Sequence, residues 1–257
     1  MRFEHAITRL PGQTFSHGLT SCGEGSPSIE KARDQHERYC DVLRTCGLTV
    51  DLLAAALEYP DSTFVEDTAI LTAGLAIITR PGAPSRLGEI QLIKNAILAY
   101  RTELMQIVAP GSMDGGDVCQ ADGHFFIGLS ARTNPEGARQ LSAILRAHGY
   151  TCSTVDIRGQ SRLLHLKSGI AYLGDNRLVI APELSALSAF QAYELIEVPP
   201  AELYAANCIL INDHVLVPAG YPKMAKALEG LGYTLLAVDV SEFRKMDGGL
   251  SCLSLRF

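Results

Sequence analysis

Apolar residues in this chain come as short runs, paired across tight polar turns and followed by stretches with helical spacing. The first full copy of this theme reads Asp67-TAIL-TAG-Leu75-AIITR, with a helix predicted from about Arg86 to Tyr100. The second reads Asp117-VCQ-ADG-His124-FFIGLS, followed by a helix from about Pro135 to His148. The third, Gly169-IAYL-GDN-Arg177-LVIAPE, leads to a predicted helix near Ser185–Tyr193, and the fourth, Asn207-CILI-ND-His214-VLVPAG, to one near Pro222–Leu231. Gly, Asn or Asp stands in each turn, as short hairpin loops require. Within Glu89–Tyr100 the apolar positions Ile90, Ile93, Ala96, Ile97 and Tyr100 recur at the period of one helix face. A longer helix is predicted over Glu30–Leu48, with Gly47 as its C-cap.

A fifth copy is divided between the two ends. Leu250-SCLSLRF has the form of a first strand with no partner after it, and His5-AITRL-PG has the form of the second strand Leu75-AIITRPG. Pairing them closes a ring of five modules and removes exposed strand edges. The 257 residues divide into about 51 per module, which suits that reading. The expectation is therefore a single domain over 1–257, an α/β ring of five ββαβ-like modules around a central channel.

Composition narrows the class. Hydrophobic residues make up 47% and charged ones 19%, ordinary for a globular chain rather than a disordered one. The net charge is −6, without the basic face that a nucleic-acid backbone demands. No apolar run reaches the ~18 residues needed to cross a bilayer, and Met1-Arg2-Phe3-Glu4-His5 does not open a signal peptide. Seven cysteines, odd in number and scattered, argue against a disulfide framework and for a reducing, cytoplasmic setting.

In a closed ring the loops leading into the first strands converge. They carry Asp61, Glu66 and Asp67; Asp114-GGD; His165-LKSG; Asn207; and Asp247-GGLSC, ending at Cys252. Carboxylates, one His and one Cys thus meet from distant positions. That is the inventory of a thiol enzyme acting on a cation, with Cys252 as nucleophile and His165 as acid and base. Each signal alone has a bland explanation: Cys is commonly a small buried apolar residue, His a structural hydrogen-bonder, and Asp-Gly a turn. Their equivalent placement in the repeat raises all three together. Serine-hydrolase, phosphate-loop, dinucleotide and zinc-protease motifs are absent from the sequence.

Asp61-STFVED-Thr68, AIITRPG, Asp114-GGD, GLSARTN, HLKSG, YAANC and Asp247-GGLSCLSL resemble the dimethylarginine dimethylaminohydrolases, or dimethylargininases. The resemblance runs from about His5 to Phe257. These guanidine-modifying enzymes have the five-bladed α/β propeller, or pentein, fold. The resemblance implies Cys252 as the nucleophile, His165 as the general acid/base and Asp114 as the carboxylate orienting it. It implies Asp67 on the guanidinium nitrogens with Glu66 beside it, and Asp61 with the backbones of Leu19 and Met246 on the substrate amine. Arg86 and Arg132 are implied at the substrate carboxylate, Phe64 as an apolar wall, and Gln13–Pro27 as a lid. The implied reaction turns Nω-methylated arginine into citrulline and an alkylamine through a covalent cysteine adduct. No metal or organic cofactor is needed, and zinc enters only as an inhibitor held by Cys252 and His165. The partner is the small-molecule substrate, with neither nucleic acid nor membrane, in a monomer or homodimer.

Two other readings stand beside it: an arginine deiminase, and a non-catalytic binding member of the same fold. Deiminases of the wider superfamily usually carry His-x-Asp where this chain has His165-x-Lys167. A dimethylated nitrogen has no N–H to offer that second carboxylate, so its loss suits a methylated substrate. An intact Cys–His–Asp set speaks against the binding-only reading.

Overall fold

Five three-stranded sheets stand around one axis, each built by the same local logic, in the computed structural model, which describes residues 2–257. Strand β1 (His5–Arg9) leads through helix α1 (Ile29–Thr45) to β2 (Thr49–Leu53), which pairs parallel to β1. The next module is β3 (Ala69–Leu71), β4 (Ala76–Ile78), α2 (Glu89–Ile97) and β5 (Leu104–Gln106). It is followed by β6 (Val118–Ala121), β7 (His124–Leu129), α3 (Pro135–Ala147) and β8 (Thr151–Asp156). Then come β9 (Ile170–Tyr172), β10 (Arg177–Ile180), α4 (Pro182–Ser185) and β11 (Glu194–Glu197). The last complete module is β12 (Ile209–Ile211), β13 (His214–Pro218), α5 (Pro222–Gly230) and β14 (Leu235–Val238).

In every complete module the first two strands form an antiparallel hairpin and the third returns parallel to the second. A parallel return requires a crossover, and the amphipathic stretch between strands two and three supplies it. Strand β15 (Leu255–Arg256) closes the ring antiparallel to β1, with Ala6 opposite Arg256 and Ile7 opposite Leu255. The C-terminal fragment is thus the missing first strand of the N-terminal module.

Helix ends follow their capping chemistry. The Ser28 side chain accepts from Lys31 N at the start of α1, and Asn134 accepts from Gly137 N at the start of α3. Helix α1 stops at Thr45 with Cys46 as C-cap, and Gly47 follows at φ +90. The helix predicted near Ser185–Tyr193 is not one helix. It divides into α4 and a 3-10 turn at Ser188–Phe190, because Leu187 between them is extended, at ψ 133. Apolar residues fill the space between each hairpin and its neighbours: Phe15, Tyr39 and Phe243 in one cluster, Phe126 and Phe190 in another. None of the described helices is long and apolar enough to cross a membrane.

Candidate active site

Each complete module enters its first strand through a 3-10 turn: Val65–Thr68 before β3, Gly115–Asp117 before β6, Leu166–Ser168 before β9 and Pro200–Ala206 before β12. Ser251–Leu253 does the same before β15. These turns touch one another around the ring. At one end of the axis they wall a cavity lined by ten of the eleven sequence-predicted residues: Leu19, Asp61, Phe64, Asp67, Arg86, Asp114, Arg132, His165, Met246 and Cys252. Glu66 is the exception.

His165 presents Nε2 to Asp114 Oδ2 at 3.1 Å, and the Gly82 amide donates to Asp114 Oδ1 at 2.8 Å, so the carboxylate is held from both sides. Asp67 accepts from Gly116 N at 2.9 Å through Oδ1 and from Arg86 Nη1 at 2.5 Å through Oδ2. Gly116 has no alternative here: a Cβ would stand 2.8 Å from both Asp67 Oδ1 and His165 Nδ1.

Charge is concentrated in this cavity, and the titrations respond. Burial disfavours the His165 cation, but Asp67, Asp117 and Asp114 outweigh it and raise its pKa to about 9. Burial also opposes the Asp67 carboxylate, which His165 and Arg86 nevertheless hold below its ordinary value. Burial first, then the charges of Glu66 and Asp67, push the Cys252 thiol up to about 12. The Cys252 sulfur accepts from Gly249 N at 3.4 Å, and no hydrogen bond joins it to His165 among the described residues. These shifts favour a thiol at Cys252 and an imidazolium at His165 in the resting site.

No family model matches the chain. Individual proteins do. The N(G),N(G)-dimethylarginine dimethylaminohydrolase of Pseudomonas aeruginosa is 46% identical over 256 residues, covering 99% of this chain and 100% of that protein. The enzyme of that name from Streptomyces coelicolor is 31% identical over 259 residues, covering 100% and 98%. The chain belongs to the dimethylarginine dimethylaminohydrolase family. The crystal structure of the Pseudomonas aeruginosa family member, a Cys-to-Ser mutant complexed with citrulline, superposes at a TM-score of 0.97 with 45% identity and 100% coverage of both chains. The N-terminal domain of the cyanobacterial arginine dihydrolase ArgZ superposes at 0.88 with 18% identity, covering 98% of this chain and 97% of that one, which shows the shared pentein ring.

Against this dimethylarginine dimethylaminohydrolase frame, several side chains sit elsewhere than the sequence suggests. Glu66 points away from the cavity that Asp67 faces. Its Oε1 accepts from Lys167 Nζ at 2.6 Å and from Arg256 Nη2 at 3.4 Å, and its Oε2 from Ser251 Oγ at 2.7 Å. Neighbouring residues of one 3-10 turn cannot share a direction, so one carboxylate faces the cavity and the other faces the channel behind it. Lys167 lines that same rear channel.

Arg86 lines the cavity but is heavily engaged. Nε and Nη2 donate to Glu89 and Nη2 also to the Phe64 carbonyl, while Nη1 holds Asp67. Arg132 by contrast donates its backbone N–H to Ser130 Oγ, and its guanidinium makes no hydrogen bond among the described residues. Glu89, the buried partner of Arg86, carried no signal beyond its place in an amphipathic helix.

The segment Gln13–Pro27 lies over the cavity. Leu19 N donates to Asp61 Oδ1 at 3.0 Å, Ser21 N to Asp247 Oδ2 at 2.5 Å, and Thr20 Oγ1 to the Lys245 carbonyl at 2.8 Å. Asp247 takes φ +58, a left-handed conformation unusual for an aspartate. The carbonyls of Leu19 and Met246 accept no backbone hydrogen bond among the described residues. For a metal, the donor atoms that lie within 4.8 Å of one another belong to Asp67, Asp114 and His165. Cys252 is not in that group of three.

Proposed function

We propose that this chain hydrolyses Nω,Nω-dimethyl-L-arginine, and its Nω-monomethyl analogue, to L-citrulline and the corresponding amine. The observation that carries the reading is the meeting of Cys252, the His165–Asp114 pair and Asp67 in one cavity. Asp61 and the free carbonyls of Leu19 and Met246 suit the substrate ammonium, and the unengaged guanidinium of Arg132 suits its carboxylate. Arg86 lines the same cavity with its charge held by Asp67 and Glu89, so Arg132 is the main anchor for that carboxylate. Phe64 closes one side as an apolar wall.

The steps follow from these positions. Asp67, with acceptor sites left on each oxygen, fixes the guanidinium so that its carbon faces the Cys252 sulfur. The bound cation offsets the negative charges that keep the thiol protonated, and the thiol proton leaves to solvent. Thiolate attack forms the C–S bond and a tetrahedral adduct. The His165 imidazolium gives its proton to the departing amine as the C–N bond breaks. Neutral His165 then takes a proton from water, whose oxygen adds to the thiouronium carbon. The C–S bond then breaks as the hydroxyl proton passes to the sulfur, which releases citrulline and restores the thiol.

No metal or organic cofactor enters this sequence, and the reading places the reaction in the cytoplasm. An arginine deiminase is disfavoured by Lys167: the residue two after His165 is an ammonium committed to Glu66 behind the site. The test is citrulline release from asymmetric dimethylarginine and, separately, from arginine, with Cys252→Ser beside the wild type. Citrulline from the methylated substrate, lost in the mutant, is expected. Release mainly from arginine overturns the substrate, and release from neither overturns the reaction.

A further inference from the structure

Behind the catalytic face lies a buried carboxylate that no step above uses. Asp117 is fully buried and does not line the substrate cavity. Its Oδ2 accepts from Ser130 Oγ at 2.6 Å and from Thr133 Oγ1 at 2.6 Å, and its Oδ1 accepts from Leu166 N at 3.0 Å. Each of these donors leads to a residue of the site. Ser130 Oγ in turn accepts from Arg132 N at 2.9 Å. Thr133 Oγ1 accepts from Asp114 N at 3.2 Å. Leu166 is the neighbour of His165.

We propose that Asp117 is a positioning residue for this reaction, one anion that sets His165, Asp114 and Arg132 together; this rests on the roles assigned to those three residues above. The argument is one of chemistry as well as connectivity. Its three hydrogen-bond donors are two hydroxyls and an amide, all neutral. Neutral acceptors would satisfy them without the heavy cost of burying an anion. What a carboxylate adds is negative charge, and the cation it acts on is His165, whose protonated form it favours. Burial raises the Asp117 pKa, against His165 and the three donors, which support its anionic form. His165 is also faced by Asp114 and Asp67, with the Arg86 guanidinium behind Asp67, and it shares the cavity with the Cys252 thiol, the carboxylates Asp61 and Asp247 and the Arg132 guanidinium. Asp117 is thus one of several charges on the imidazole, and it lies outside the substrate cavity.

The test compares wild type, Asp117→Asn and Ser130→Ala, with circular dichroism as the check on folding. Asp117→Asn is expected to lower kcat by about tenfold or more and raise KM, because His165 and Arg132 both lose their support. The alkaline limb of its kcat profile should move toward lower pH by about one unit, since an anion has been taken from beside the imidazolium. Ser130→Ala takes one of the three donors from Asp117 and frees the Arg132 and Thr133 amides, leaving the charge in place, so KM should rise while kcat and the alkaline limb change less than in Asp117→Asn. A folded Asp117→Asn enzyme with both constants and the alkaline limb unchanged overturns the proposal, as does a loss confined to thermal stability.

Should Asp117→Asn not fold, Thr133→Val takes its place, and an unchanged kcat there overturns the proposal. If wild type releases no citrulline, the functional reading falls, and the His165 ring titration followed by NMR still decides this inference. A lower His165 pKa in Asp117→Asn supports it and an unchanged one refutes it. His165→Gln identifies the resonance.

Discussion

Arg86 Nη1 donates to Asp67 Oδ2 at 2.5 Å, with both side chains almost wholly buried. The same guanidinium holds Glu89 through Nε and Nη2. One cation therefore sits between two buried anions, and its own protonated form is stabilised far above the ordinary value. Removing it takes from Glu89 its hydrogen-bonded cation and leaves Asp67 with His165 as its remaining cation. Arg86→Met is expected to destabilise the fold by about 3–5 kcal/mol, read as a fall in the urea midpoint. Arg86→Lys should recover less than half of that, because a single ammonium cannot reach Asp67, Glu89 and the Phe64 carbonyl in the forked geometry of arginine. Full recovery by lysine would show that charge alone is what the site needs.

The Cys252 thiol, held at about 12 by burial, Glu66 and Asp67, should be sluggish in the free enzyme. Inactivation by iodoacetamide is expected to accelerate by roughly tenfold per pH unit through pH 9 without a plateau. A bound guanidinium analogue that leaves the sulfur accessible should move the curve to lower pH. A free-enzyme plateau below about pH 6 would show that the protein activates its own nucleophile unaided.

His165 gives stability a pH dependence of defined sign. Its folded pKa of about 9 lies above the ordinary 6.5. The unfolded chain releases this proton first as pH rises, so the stabilisation is complete below about pH 6.5 and is lost as pH climbs toward 9. The shift corresponds to about 3 kcal/mol. Urea midpoints should fall between pH 6.5 and 9.5 in the wild type, and that part of the fall should vanish in His165→Gln. His36 acts at the other end. Burial lowers its pKa to about 4, so stability should decline as pH drops from about 6.5 through 4.

Gly18, in the segment that the family resemblance implies as a lid, packs directly on Asp61. A Cβ on Gly18 would stand 2.3 Å from Asp61 Oδ1, the oxygen that accepts from Leu19 N. Gly18→Ala should hold the lid off Asp61 and raise KM for dimethylarginine by about tenfold, near 1.4 kcal/mol, with a smaller effect on kcat. Limited proteolysis within Gln13–Pro27 should quicken in parallel. An unchanged KM would detach the lid from substrate binding.

Asp67 and Glu66 show where legibility in the sequence stops. Both are adjacent carboxylates in the turn before β3, and spacing treats them alike. Only the packed ring separates them, because Ser251 and Lys167 arrive from other modules to draw Glu66 to the rear. Lys167 could be read as a departure from His-x-Asp, but not as an ion pair with a residue about a hundred positions earlier. Arg86 and Arg132 form a similar pair. Both were expected at the substrate carboxylate, and their different engagement follows from Glu89, which faces Arg86 one helical turn away.

By itself the sequence determined the five-fold repeat, the closure of β1 against β15 and the convergence of Cys252, His165, Asp114 and Asp67. Those follow from local periodicity and turn chemistry, which repeat in each module and are written in neighbouring residues. Tertiary structure alone decided which face of each turn a side chain takes, that α4 is a short piece of helix, and that Asp117 is hydrogen-bonded to Ser130, Thr133 and Leu166. Side-chain direction and hydrogen-bond partnership depend on groups brought together from different modules, and those distances exist only after the ring has closed.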